Sequence, residues 1–314
     1  MKKFAFVLMF FSLLSVALAA KPVPVILDTD IGDDIDDTWA LGLLLKSPEF
    51  DLKMVVGDFG RASYRARLLA KFLQTVGRTN VAVGVGLDIR ARDEGPQAPW
   101  VKGYDLASYP GRVFTNGVDA MIDAIMKSPE PVTLICIGPV PNIAAALERQ
   151  PKIAEHARFF GMHGSLRVGY GGGKTPAAEW NVKADPKSCQ KAFTAPWEMT
   201  ITPLDTCGLV NLDGDRYARV RDSKDPIAAT VIENYRIWSK NKADAEKHSS
   251  TLFDAVAVYL AFSQDLCTME KLGVRVDDKG FTVIDPLAKQ INAATAWKNL
   301  DAFRDLLVTR LTGP

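Results

Sequence analysis

Cysteine is scarce in this chain and unpatterned. Cys136, Cys189, Cys207 and Cys267 contain no C-x-x-C pair, so the common thiolate metal and dithiol motifs are excluded. An excess of one charge is also missing. The sequence has 38 basic and 37 acidic residues, a formal net charge of +1, and no run of five like charges. That balance removes the electrostatic footprint of a nucleic-acid or membrane-surface binder, and the expected partners are small molecules. Long hydrophobic runs are absent too: the apolar stretch 4–16 falls short of the ~20 residues that cross a bilayer.

That short apolar stretch has another meaning. Met1-Lys2-Lys3 precedes it and Ala17-Leu18-Ala19 follows it, the order of a cleavable secretory signal. No cysteine follows it, which argues against a lipid anchor. The expectation is a signal peptide at 1–20, a mature domain at 21–314, a periplasmic or secreted location, and no membrane attachment after processing. Export would permit a disulfide. Cys189–Cys207 is the first pair to test, with connectivity left open, while Cys136 sits in the apolar run 132–137 and reads as a buried thiol.

Along the mature chain, short apolar β-rich runs alternate with helical patterns. Strands are expected at 23–27, 52–56, 81–85, 132–137 and 159–162, and helices at 39–46, 61–76, 118–126 and 143–149. This alternation predicts an α/β fold, a mostly parallel open sheet flanked by helices in the Rossmann-like manner. Residues 87–117 carry no periodicity and read as a loop or lid, and 164–174 as a glycine-rich loop. Neither a repeat nor a low-complexity tail interrupts the chain, so one domain is expected.

What is abundant is aspartate in one place. The segment from Asp28 to Asp37 holds six carboxylates in ten positions, directly after the first strand. Close carboxylates repel and take up protons unless a cation neutralises them. Apolar flanks on both sides pin this loop between buried elements, and Gly32 lets the backbone turn tightly. An all-oxygen donor set favours a hard cation, calcium or magnesium, with calcium better suited to many carboxylates. The spacing is not that of an EF-hand.

Leu27-Asp28-Thr29-Asp30-Ile31-Gly32 followed by Asp36-Asp37 resembles the aspartate fingerprint of the inosine-uridine preferring nucleoside hydrolase family. Further blocks resemble the family in the same order: 77–86, Gly138-Pro139-Val140-Pro141-Asn142-Ile143-Ala144, Thr175-Pro176-Ala177-Ala178-Glu179-Trp180-Asn181, and Leu252-Phe253-Asp254-Ala255. The resemblance implies a nucleoside-hydrolase-like fold and hydrolysis of the N-glycosidic bond of a small-molecule nucleoside or related N-riboside. It implies one bound Ca2+, with side-chain oxygens from Asp30, Asp37 and Asp254 and the backbone carbonyl of Ile137. Asp30 would deprotonate the attacking water. Glu179, Asn181 and Asp36 would hold the ribose, and Trp180 would flank the base. Relatives assemble as dimers or tetramers, so the resemblance also implies a homo-oligomer.

The sequence departs from the family at four places. Asp33-Asp34-Ile35-Asp36-Asp37 makes the aspartate loop two residues longer, so Asp34 can take the place of Asp36 at the sugar. Asp58 replaces an asparagine, adding a negative charge near the substrate. Gly173 replaces an asparagine that contacts the sugar. Phe253 stands where inosine-uridine-preferring members have a histidine that protonates the leaving base. His248, six residues before Asp254, is the nearest histidine by sequence, and Trp100 and Trp180 are candidates to stack on the base. These departures leave an alternative: a non-catalytic periplasmic homologue that binds ribose or nucleoside. A magnesium-dependent phosphatase built on D-x-D is disfavoured, because Ile31-Gly32 does not fit and the downstream blocks have no role in it.

Overall fold

The apolar run after Lys21-Pro22 has no polar alternation, as expected of a strand covered on both faces. In a computed structural model, which describes residues 21–90 and 94–313, it forms β1 (Val23–Thr29) near the middle of a ten-stranded sheet. The expected signal peptide lies outside the described residues. In chain order the other strands are β2 (Phe50–Gly57), β3 (Ala82–Val85), β4 (Val113–Phe114), β5 (Val132–Cys136) and β6 (Ala157–Met162). They are followed by β7 (Met199–Thr202), β8 (Cys267–Val276), β9 (Thr282–Ile284) and β10 (Gln290–Trp297). The sheet order is β4-β3-β2-β1-β5-β6-β7-β10-β8-β9. Pairings from β4 through to β10 are parallel, and only β8 and β9 join antiparallel. The expected mostly parallel α/β sheet is therefore present, with an antiparallel edge added.

Alternation along the strands builds one core on each face. Val25, Leu27 and Val55 point to one, and Ile26, Met54 and Val56 to the other. The helix Asp36–Leu45 lies within the first core and is buried at every position. It packs with the helix Phe253–Phe262, which is apolar except for Asp254 and has all its residues from Asp254 to Leu260 buried.

Three expectations need correction. The stretch 87–117 is not simply a loop: it contains the short helix Ala98–Val101, a 3-10 turn at Leu106–Ser108 and β4. Trp100 in that helix is packed against Phe72, with Lys71 over its ring, and does not reach a ligand pocket. The proposed Cys189–Cys207 disulfide is also absent, and all four cysteines are buried free thiols. Cys189 belongs to one core and Cys207 to the other, so the sheet lies between them.

Candidate active site

β1 lies between β2 and β5, so chain connections leave it in opposite directions. Such a switch point opens a crevice at the carboxyl ends of the strands. A pocket of about 100 Å³ sits there, lined by groups from five segments. Asp30 comes from the end of β1, Asp33, Asp34, Asp36 and Asp37 from the following turn and helix, and Ile137 from the end of β5. Met162 ends β6, Tyr170 and Glu179-Trp180-Asn181 come from the loop region beyond it, and Phe253-Asp254 open the late helix.

The acidic turn is built around two supports. Gly32 has φ of 111°, and a Cβ there would meet Leu68 and Tyr64 at 2.6 Å, so only glycine fits. Arg65 is fully buried and binds the carbonyls of Asp30, Ile31 and Phe59 together with the Asp33 carboxylate. It clamps the backbone from behind and does not line the pocket. On the other side, Gly138 lies against Asp30, and a Cβ there would come within 3.0 Å of the Asp30 amide nitrogen.

The pocket wall carries seven carboxylates, Asp30, Asp33, Asp34, Asp36, Asp37, Glu179 and Asp254, and among the described residues no lysine, arginine or histidine. Burial pushes Asp30 up to about 7, with the negative charges of Asp33 and Asp34 adding to it against the opposing pull of Arg65. Asp36, Asp37 and Asp254 are held well above the ordinary carboxylate range, first by burial and then by one another and their acidic neighbours. Asp37 accepts a hydrogen bond from Thr29, and the Asp254 amide donates to Asp36 at 3.4 Å. Helix N-termini under Asp36, Asp37 and Asp254 favour negative charge only modestly, by ~0.3–1 kcal/mol each.

A cation resolves this repulsion, and the donor geometry fits one. Asp36, Asp37 and Asp254 each offer an oxygen, all within 4.8 Å of one another. Oxygens that close can share one ion at the ~2.3–2.6 Å bond lengths of calcium. The set differs from the expected ligands in bringing Asp36 into the cluster, while Asp30 and Ile137 line the same pocket beside it.

The sugar-contact candidates divide. Glu179, Trp180, Asn181, Asp34 and Asp36 all line the pocket. Glu179 also caps the helix Trp180–Ala184, accepting from the amides of Asn181 at 2.7 Å and Val182 at 3.3 Å, and it accepts from the Gly164 amide at 2.9 Å as well. Burial still pushes it up to about 7. The Asn181 amide nitrogen donates to the carbonyls of Ile137 and Met162, which leaves its carbonyl oxygen as the free acceptor. Asp58, in contrast, is not in the pocket. It is fully buried behind it, accepting from the Val140 amide at 2.8 Å, and burial and the negative charge of Asp28 hold it well above the ordinary carboxylate range.

The leaving-group side was not legible in the sequence. None of the three histidines lines the pocket. His248 bonds the Ser249 carbonyl, and His163 is buried under the floor, facing the Gly138 carbonyl at 3.0 Å and lowered by burial to about 4. The rim is aromatic instead. Tyr170 stands edge-on to Phe253, with ring centroids 6.1 Å apart, and its hydroxyl accepts from the Trp180 amide at 2.8 Å. Tyr170 was missed because only the fold of the glycine-rich loop brings it here.

Comparison with known proteins agrees with this architecture. The family model for inosine-uridine preferring nucleoside hydrolase matches residues 25–306. The pyrimidine-specific ribonucleoside hydrolase RihA of Enterobacter sp. (strain 638) is 29% identical, over 92% of this chain and 97% of its own. The non-specific ribonucleoside hydrolase RihC of Shigella boydii serotype 18 is 27% identical, over 82% of this chain and 85% of its own. Among solved structures, the plant nucleoside hydrolase PpNRh1 shares the fold with a TM-score of 0.79 at 23% identity, covering 94% of this chain and all of that one. The purine-preferring ribonucleoside hydrolase from Gardnerella vaginalis does so at 0.74 and 23% identity, over 92% of this chain and 98% of its own. With the match running across nearly the whole described chain, the protein belongs to the inosine-uridine preferring nucleoside hydrolase family and is an N-glycosyl hydrolase.

Proposed function

We propose that this chain hydrolyses the N-glycosidic bond of ribonucleosides or related N-ribosides in a calcium-dependent reaction, in the periplasm or outside the cell. The observation that carries this reading is the convergence of Asp36, Asp37 and Asp254 beside Asp30, with no basic side chain among the described residues of the pocket wall to balance them. Asp36, Asp37 and Asp254 would hold the ion, with Asp30 and the Ile137 carbonyl at its side. When bound, the ion supplies charge neutralisation and Lewis-acid activation of water.

Asp30 accepts the proton of the attacking water, a role suited to a carboxylate raised to about 7. The pocket, at about 100 Å³, is smaller than the ~300–1,000 Å³ of a drug-sized ligand site, so it suits the sugar alone. Asp34, Glu179 and the free Asn181 carbonyl oxygen receive the ribose hydroxyls. The carboxylate wall stabilises the oxocarbenium-like charge that develops on the sugar as the bond breaks.

The base then lies outside, under Tyr170, Trp180 and Phe253. Because the Tyr170 oxygen accepts from the Trp180 amide, its own proton is free for the leaving base. Burial keeps that phenol protonated.

The competing reading, a binding protein without turnover, is favoured by Phe253 and by the lack of a histidine in the pocket lining. Incubating the purified chain with calcium and a panel of purine and pyrimidine ribonucleosides separates the two. Hydrolysis releases free ribose catalytically and stops on chelation. Stoichiometric binding with no ribose from any nucleoside would favour the binding protein.

A further inference from the structure

A second cavity, of about 470 Å³, opens against two residues of the first, Asp33 and Trp180. Its charge is the opposite of its neighbour's. Arg61, Arg65, Arg90 and Lys183 line it, against the carboxylate of Asp33, the only acid among its described lining residues. Arg65 is already committed to Asp33 at 2.7 Å, so the cations available to a ligand are Arg90 and Lys183. Arg90 and Lys183 are exposed and make no ion pair among the described residues. Lys183 lies three residues after Trp180 on the helix Trp180–Ala184, and that spacing puts both on one face.

Two residues of this cavity have a strained backbone. Arg90 has φ of 50° and Phe59, also in this cavity, has φ of 48°, left-handed values unfavourable for any residue with a Cβ. Such backbone persists where the surroundings enforce it and gathers at ligand sites. Here the Gly60 amide bonds the Ile89 carbonyl at 2.8 Å, tying the two loops together.

A neutral nucleoside offers nothing to this cluster, and the carboxylate pocket would repel an anion. We infer that the substrate is an N-riboside carrying a phosphomonoester, with its sugar in the carboxylate pocket and its phosphoryl group held by Arg90 and Lys183 across Trp180. Guanidinium and ammonium groups suit phosphoryl oxygens, the former as a planar fork and the latter as a point charge. The inference rests on the ribose-binding reading of the first pocket and names the class of riboside it takes.

Calorimetric titration of the calcium-loaded chain with ribose, ribose 5-phosphate and inorganic phosphate tests it. Ribose 5-phosphate should bind at least about ten-fold tighter than either of the others, with an affinity that falls as salt rises. In an Arg90→Gln/Lys183→Gln double variant that advantage should vanish while ribose affinity stays. Equal affinities for ribose and ribose 5-phosphate, inorganic phosphate binding as well as the sugar phosphate, or an unaffected double variant would each overturn the inference. Release of ribose 5-phosphate from uridine and inosine 5′-monophosphates, measured in parallel, is independent: its absence alongside a ribose 5-phosphate preference would remove the hydrolase reading and leave the phosphoryl site standing.

Discussion

The Asp254 amide donates to the Asp36 carboxylate at 3.4 Å, across 218 residues of sequence. The contact joins the N-termini of two buried helices, Asp36–Leu45 and Phe253–Phe262, that carry three converging carboxylates between them. Neither helix needs an acid at that place for packing, since each is otherwise apolar.

If these carboxylates hold the proposed cation, Asp254 has a measurable share in binding it. Calcium affinity depends on how many charged oxygens the site offers. Asp254→Ala should weaken calcium binding roughly 100-fold or more by calorimetry, and it should relieve the repulsion on Asp36 in the metal-free protein. Unchanged calcium affinity would remove Asp254 from the site.

Much of the site was legible in the sequence, and the reason is local. The acids at 28–37 follow an apolar strand directly, so their position at its carboxyl end needed no tertiary knowledge. The Glu179-Trp180-Asn181 and Asp254 positions were legible only through their order along the chain. What could not be read depended on packing. Asp58 turned inward to Asp28 and Val140, Trp100 covered Phe72, and the two cysteines expected to pair fell on opposite faces of the sheet. Tyr170 reaches the rim because its glycine-rich loop folds back, with the Gly169 amide bonding the Gly173 carbonyl.

The raised carboxylates make metal-free stability depend on pH. Asp28 is pushed up to about 6 and Asp30 and Glu179 to about 7, first of all by burial, against about 4 in an unfolded chain. A raised folded-state value means the folded protein binds more protons, so this stability is full below about pH 4 and lost as pH rises to about 7. With chelator, thermal unfolding should occur at a lower temperature at pH 7.5 than at pH 5.5. Calcium should reverse the order, because it binds the deprotonated carboxylates and its affinity rises with pH. Calcium stabilisation equal at both pH values would contradict the assignment.

Tyr170 has a role that Phe can test without disturbing the ring contact to Phe253. Tyr170→Phe keeps the edge-on packing and removes only the hydroxyl. Loss of a proton donor to the leaving base should lower kcat by about 10²-fold for substrates with poor leaving groups, within the range of general-acid effects. Activated substrates such as p-nitrophenyl riboside, whose leaving group needs no proton, should be spared. Equal losses on both would make Tyr170 a merely structural residue.

Ribose release by Asp30→Asn beside the wild type, with calcium near saturation, bears most directly on the carboxylate pocket as a hydrolytic centre. Asn keeps the shape of Asp30 against Gly138 but cannot accept the proton of the attacking water. Turnover should fall by about 10²–10⁴-fold with the fold retained by circular dichroism. Hydrolysis by Asp30→Asn at the wild-type rate would contradict that role for Asp30.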